Sequence, residues 1–182
     1  MARSARIISA GLSLLEVLIA LVIIAILITL LIPAYSATRA RAQRAQCTAN
    51  LRSLYLGANL YVTQNGSWPQ ITMVTGSDTT RQDFAQAWIT ALSPFGPTRT
   101  TWICPTIQNL LRNPGYDTSA NARIDYMPMQ FDAKPTTPHQ WPRQPWFVET
   151  ADVHGNGNLI VFTDGSISDL KTIAQHSARQ GH

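Results

Sequence analysis

LSLLEVLIALVIIAILITLLI, residues 12–32, is the stretch on which the rest of the chain is organised. Its 21 residues contain one ionisable group, Glu16, and neither Gly nor Pro. At about 1.5 Å of rise per residue the run spans roughly 31 Å as a helix, the thickness of a bilayer's hydrocarbon core. A short basic leader, MARSARIISA, and Gly11 stand before it, and Pro33 stands directly after it. A carboxylate inside such a run costs at least about 2.5 kcal/mol on insertion, so it marks a function with a partner to be named.

The order of these parts separates the readings. A secretory signal places its cleavage site after an apolar region of about 7–15 residues. Here the Gly11-Leu12 junction precedes the apolar run. A cut there discards the leader and leaves a mature chain beginning at Leu12, its new amino group one helical turn from Glu16. Three plainer readings compete. A simple single-pass anchor gives no reason for Glu16. A conventional signal cut after Ala34-Tyr35-Ser36 needs a shorter, uncharged run. A buried soluble helix seldom runs this long without polar interruption. Charge asymmetry does not decide orientation, because Arg3 and Arg6 precede the run while Arg39, Arg41 and Arg44 follow it.

Gly11-Leu12-Ser13-Leu14-Leu15-Glu16 resembles the type IV prepilin signal, usually Gly-Phe-Thr-Leu-x-Glu, of type IV pilins and type II secretion pseudopilins. The chain departs from it mildly, with Leu12 for Phe and Ser13 for Thr. The resemblance implies a prepilin leader over residues 1–11, cleaved after Gly11 by a prepilin peptidase, and N-methylation of Leu12. It implies a transmembrane and assembly helix over 12–33, with Pro33 at the family's helix-kinking position. It also implies partners: other pilin or pseudopilin subunits, an inner-membrane assembly platform and the lipid bilayer. In the family the glutamate pairs with the N-terminal amine of a neighbouring subunit. Two opposite charges in low dielectric neutralise each other, whereas either alone is costly. The implied location is the bacterial inner membrane with the C-terminal domain in the periplasm, and the assembled filament periplasmic or extracellular.

About 150 residues follow the membrane run, enough for one domain with a modest core. The net charge of +4 invites a nucleic-acid reading. Yet the excess sits in the leader and just past the apolar run, where basic residues more often meet anionic head groups, so nucleic acid is not an expected partner. Cys47 and Cys104, in a chain expected to be exported, suggest one disulfide, with two buried thiols as the alternative. Such a bridge would be worth about 4 kcal/mol in the chain-entropy model.

Residues 34–64 continue the helical pattern, with only Gly57 interrupting a composition rich in Ala, Arg, Gln and Leu. Cys47, Leu51, Leu54, Ala58 and Tyr61 form an apolar stripe, with Arg44, Arg52 and Asn59 free to face away. Asn65-Gly66-Ser67-Trp68-Pro69 ends the helix, and residues 65–182 are expected to form a globular α+β domain. Within it Arg81–Leu92 reads as a helix, Thr100–Cys104 as a short strand and Asn113-Pro114-Gly115 as a turn. Arg123–Met129 and Trp146–Glu149 read as strands, and the proline-rich 134–145 segment as an irregular loop. Leu159–Thr163, Asp164-Gly165 and Ser166–Leu170 read as a hairpin closed by a two-residue turn. Residues 172–182 read as a frayed tail. The fold expected is pilin-like: one long helix, half in the membrane, its other half packed on a small antiparallel sheet.

His154, nine residues, then Asp164-Gly165, after an upstream Cys104-Pro105, resembles a pilin-like group whose C-terminal domain carries a His-x9-Asp-Gly signature. Chemistry is scarcer. Asp152, Asn156 and Asp164 are weak calcium candidates, since no bidentate Glu closes the loop and the spacing is not that of an EF-hand; no other cofactor is expected. Zinc has less, a single His with no nearby Cys or Glu. An enzyme is not expected: no Ser sits in a strained elbow, and a Cys104–His154 thiol dyad competes with a structural cysteine. Most of the seven Tyr and Trp residues at 55, 61, 68, 88, 102, 141 and 146 belong to core or interface rather than to a glycan- or DNA-binding patch. The function expected is a structural subunit of a type II secretion pseudopilus or type IV pilus. The alternative is a membrane-anchored periplasmic binding domain that does not polymerise.

Overall fold

A helix of 52 residues, α1 (Leu14–Asn65), opens the computed structural model, which describes residues 14–73, 78–112, 122–134 and 137–180. The Gly11-Leu12 junction and the Asn113-Pro114-Gly115 turn lie outside the described residues. Contacts divide the chain into two units, Met1–Arg39 and Ala40–His182. In the first, α1 is long and apolar enough to cross a membrane. From Leu14 to Ile32 every side chain is exposed. The helix is assigned without a break through Pro33.

The second unit contains the end of α1, then α2 (Asp78–Leu92), α3 (Pro105–Leu111), β1 (Tyr126–Pro128), β2 (Pro145–Glu149), β3 (Leu159–Phe162), β4 (Ile167–Asp169) and α4 (Leu170–Gln180). The strands form an antiparallel meander in the order β1-β2-β3-β4. Together with the long helix this is the expected α+β arrangement.

The stripe on α1 is the seam of the core. Cys47, Leu51, Leu54 and Ala58 are fully buried, while Tyr61 is half-buried against Phe95, ring centroids 5.5 Å apart. Arg52 faces solvent. Arg44 does not face away as expected: its guanidinium Nη2 donates to Asp169 Oδ2 at 2.6 Å. Gly57 is needed for close approach, since a Cβ there would lie 2.5 Å from Pro97 Cγ. Gly66, at φ +71°, caps the helix by donating its N–H to the Val62 carbonyl at 2.9 Å. Beyond the seam, Trp68, Trp88, Trp102, Trp146 and Phe147 are completely buried and meet ring to ring at 5.1–6.4 Å. Each contributes of the order of 1.5–3 kcal/mol by burial. Trp141 alone among the five tryptophans is exposed.

Three local expectations are corrected. Residues 99–102 form a 3-10 turn and not a strand: the Thr98 N–H donates to Thr101 Oγ1 and the Thr101 N–H to the Thr98 carbonyl, a local closure that competes with extended pairing. Pro105 does not merely end that segment but occupies the first turn of α3, where its missing N–H costs nothing. The tail expected to fray is α4 through Gln180, because Asp169 Oδ1 accepts the Thr172 N–H and caps it. The hairpin forms where expected, but its loop has three residues. Phe162 accepts from the Gly165 N–H and donates to the Ser166 carbonyl, with Gly165 at φ +76°.

Candidate functional site

Two features stand apart from ordinary packing. The first is the exposed apolar surface of α1, in which Glu16, in the first turn, is the one acidic or basic side chain from Leu14 to Ile32. Carboxylates are favoured at this end of a helix by its dipole.

The second lies inside the C-terminal unit, and its members come from four segments. Cys47 projects from the buried stripe of α1. Cys104 immediately precedes Pro105, and its backbone is fixed on both sides. Its N–H donates to Asp125 Oδ2 at 2.8 Å, and its carbonyl accepts the Gln108 N–H. Asp125 is in turn held by Arg123 Nη2 at 2.8 Å, and the neighbouring Ile103 carbonyl accepts from Asn50 on α1. Glu149 ends β2, opposite Tyr126 in register, on the strand face that also carries Phe147. His154 sits in the turn that follows. That turn is closed by the Gly155 N–H donating to Asp152 Oδ1 and by Asn158 Nδ2 donating to the Glu149 carbonyl at 2.6 Å.

The ligand-capable atoms of Cys47, Cys104, Glu149 and His154 all lie within 4.8 Å of one another. His154 Nε2 is 3.2 Å from Glu149 Oε1 and 3.9 Å from Cys104 Sγ. Glu149 Oε2 accepts the Leu159 N–H at 3.4 Å. Both cysteines and Glu149 have no exposed surface, and the His154 side chain is 3% exposed. The four groups are therefore almost wholly enclosed, with Cys104 Sγ and His154 Nε2 in contact. The expected disulfide is not formed: both cysteines are free, placed side by side.

The electrostatics follow from this crowding. A hydrogen bond to Cys47, with burial, holds the Cys104 thiol far above the usual range. The same bond, helped by Tyr126, draws Cys47 down. Burial, then the contact with Cys104, pushes the Glu149 carboxyl up to about 7, against the attraction of His154. Burial and Cys47 likewise raise the Tyr126 hydroxyl.

The calcium candidates each have hydrogen-bond partners of their own. Asp152 closes its own turn. Asp164 Oδ1 accepts from the N–H and the hydroxyl of Ser166 in the β3–β4 loop. Asn156, with its amide turned to suit its neighbours, donates to the Gly155 carbonyl and accepts from Arg44 Nη1. The two ends of the His-x9-Asp-Gly signature thus have separate tasks. His154 enters the buried cluster, while Gly165 lets the hairpin loop approach Tyr55, to whose ring a Cβ would stand 3.0 Å away.

Glu149 is the member that sequence reasoning missed, and it corrects the expectation that His154 has no Cys or Glu beside it. The signal was its parity: two residues from Phe147, it falls on the apolar face of the strand. Elsewhere a groove of about 590 Å³ lies along α2 and residues 122–127, lined by Arg81, Phe84, Ala85, Arg123 and Met127 among others. Compared with protein families, curated proteins and solved structures, the chain finds no match.

Proposed function

We propose that the chain is a pilin-like structural subunit of a type II secretion pseudopilus or type IV pilus. It is made with a leader, held in the inner membrane by the first half of α1, cleaved after Gly11 by a prepilin peptidase and methylated at Leu12. It then polymerises through helix packing on an assembly platform, with its C-terminal unit on the periplasmic side, and it carries out no catalysis. The observation that carries this reading is a fully exposed apolar helix surface with a single carboxylate near its start. Such a surface needs lipid first and other helices later. Its carboxylate needs a cation, and the amine created at Leu12 of a neighbouring subunit supplies one when the two helices are staggered by about one turn.

N-terminal sequencing of the purified mature polypeptide tests the first step: it should begin at methylated Leu12, and a start at Met1 or Ala37 refutes the proposal. Gly11→Glu should leave an uncut precursor, heavier by the leader. Glu16→Ala should insert and be cleaved normally yet be missing from sheared filaments, and normal incorporation removes the charge-pairing step. The rival reading, an anchored binding domain that never polymerises, draws on the groove along α2. It predicts the protein in the inner membrane and never in the sheared fraction.

A further inference from the structure

Four side chains with metal-binding atoms converge in the core from positions 47, 104, 149 and 154. The Glu149–His154 contact satisfies one carboxylate oxygen but leaves the cluster's burial to be accounted for. A carboxyl group with no exposed surface is costly to bury unless its charge is matched, and its nearest partner is an imidazole that is itself enclosed. A disulfide between Cys47 and Cys104 would use two of the four groups and leave Glu149 and His154 only each other and the Leu159 N–H. A cation at the centre uses all four.

The distances fit a small tetrahedral ion. With zinc–sulfur bonds near 2.3 Å and zinc–nitrogen or zinc–oxygen bonds near 2.0–2.1 Å, ligand atoms stand roughly 3.3–3.8 Å apart. The pairs at 3.2 and 3.9 Å bracket that range, and the remaining separations, none beyond 4.8 Å, close with sub-ångström movements of side chains. Two thiolates and an imidazole select a borderline ion such as zinc and disfavour calcium or magnesium. Four protein ligands leave no open position, which is the arrangement of a structural rather than a catalytic centre. The Tyr126 hydroxyl against Cys47 and the Leu159 N–H on Glu149 supply the outer hydrogen bonds that such ligands use.

We propose that Cys47, Cys104, Glu149 and His154 form a structural zinc site that fastens α1 to the sheet and to the Cys-Pro start of α3. Loading displaces the protons held by the two thiols, together with that of the Glu149 carboxyl where it is protonated, and releases them to solvent. The site does not depend on the filament reading, since none of its ligands lies in the membrane segment.

The test uses the full chain, extracted in mild detergent without chelator; an aliquot for intact mass is taken before reductant is added to the remainder. Elemental analysis should give one zinc per chain, lost in Cys104→Ser. Because that variant can fail for reasons of folding, the wild-type protein is also stripped with a chelator and titrated with cobalt(II). The expected spectrum has thiolate-to-cobalt charge transfer and the intense visible bands of a tetrahedral centre, bleached by added zinc. His154→Cys should keep the metal and strengthen the charge-transfer band, with three thiolates in place of two. Stripping should lower the melting temperature and zinc should restore it. A metal-free chain with two freely titrating thiols, a Cys47–Cys104 disulfide in the intact mass, or a weak octahedral cobalt spectrum would each overturn the assignment.

Discussion

Gly165 and Gly66 have nearly the same backbone, φ +76° and +71°, but different surroundings. A Cβ on Gly66 meets nothing within 4 Å, whereas one on Gly165 stands 3.0 Å from Tyr55 Cε1 and 3.2 Å from Cζ. Replacing either by Ala costs about 1–2 kcal/mol for the left-handed conformation. Reduced freedom of the unfolded chain offsets about 0.4–1 kcal/mol of it. Gly66→Ala should therefore lose about 0–1.6 kcal/mol. Gly165→Ala carries the same term and must also push the Tyr55 ring, which lies 5.3 Å from that of Trp146. An aromatic pair of this kind is worth about 0.5–1.5 kcal/mol, so that is the expected excess. At roughly 2–4 °C per kcal/mol for a chain of this size, the excess lowers the melting temperature by about 1–6 °C. Urea titration followed by tryptophan fluorescence reads both variants, since four tryptophans are buried in the core; metal content is held fixed throughout. The excess should vanish in a Tyr55→Ala background. Equal costs for the two glycines, or an excess that survives the loss of Tyr55, refutes the reasoning.

Gly57→Ala should destabilise, although the same change in most helices gains about 0.5–1 kcal/mol, because its Cβ would overlap the Pro97 ring at 2.5 Å; Pro97→Ala should rescue it, and a more stable single variant would contradict this. Asp169→Ala should cost more than Arg44→Ala. It removes the cap of α4, worth about 0.5–2 kcal/mol, as well as the ion pair, which its partly exposed arginine limits to about 1 kcal/mol; hydrogen exchange at the Thr172 amide should rise in the first variant and hardly move in the second. Burial raises the Asp169 carboxyl, but hydrogen bonds from Thr172 and Arg44 outweigh it and leave its affinity for protons below normal. Its contribution is therefore present above the ordinary Asp pKa and lost as pH falls through the depressed one, so Asp169→Asn should flatten the acid limb of a stability–pH curve; an unchanged limb speaks against it.

The legible parts of the fold were those with a period or a punctuating residue. The stripe at Cys47, Leu51, Leu54 and Ala58 repeats at helical spacing, Asn65-Gly66 closes the helix, and the Asp164-Gly165 pair marks the hairpin. Where two local programs compete, pattern alone misled. The Thr-rich segment at 98–101 has strand composition but satisfies its own backbone, and Leu170–Gln180 is polar enough to resemble a tail until Asp169 is recognised as its cap. The buried cluster was least legible for a different reason. Cys47 and Cys104 invited a reading as a pair, and Glu149 lies in a run whose other members signal only a strand. Their convergence with His154 is set by the β1–β2 register and by the anchoring of Cys104 through Asp125, neither of which any short window of sequence contains.

The meander has a consequence for what its two margins can accept. Its two outer strands, β1 and β4, have three residues each; β1 ends in Pro128, which has no N–H to offer, and β4 runs straight into α4. Such margins give an incoming strand almost nothing to pair with. Extension of the sheet by a further strand is thereby discouraged, and the apolar surface that the described residues leave open is instead the leading segment of α1.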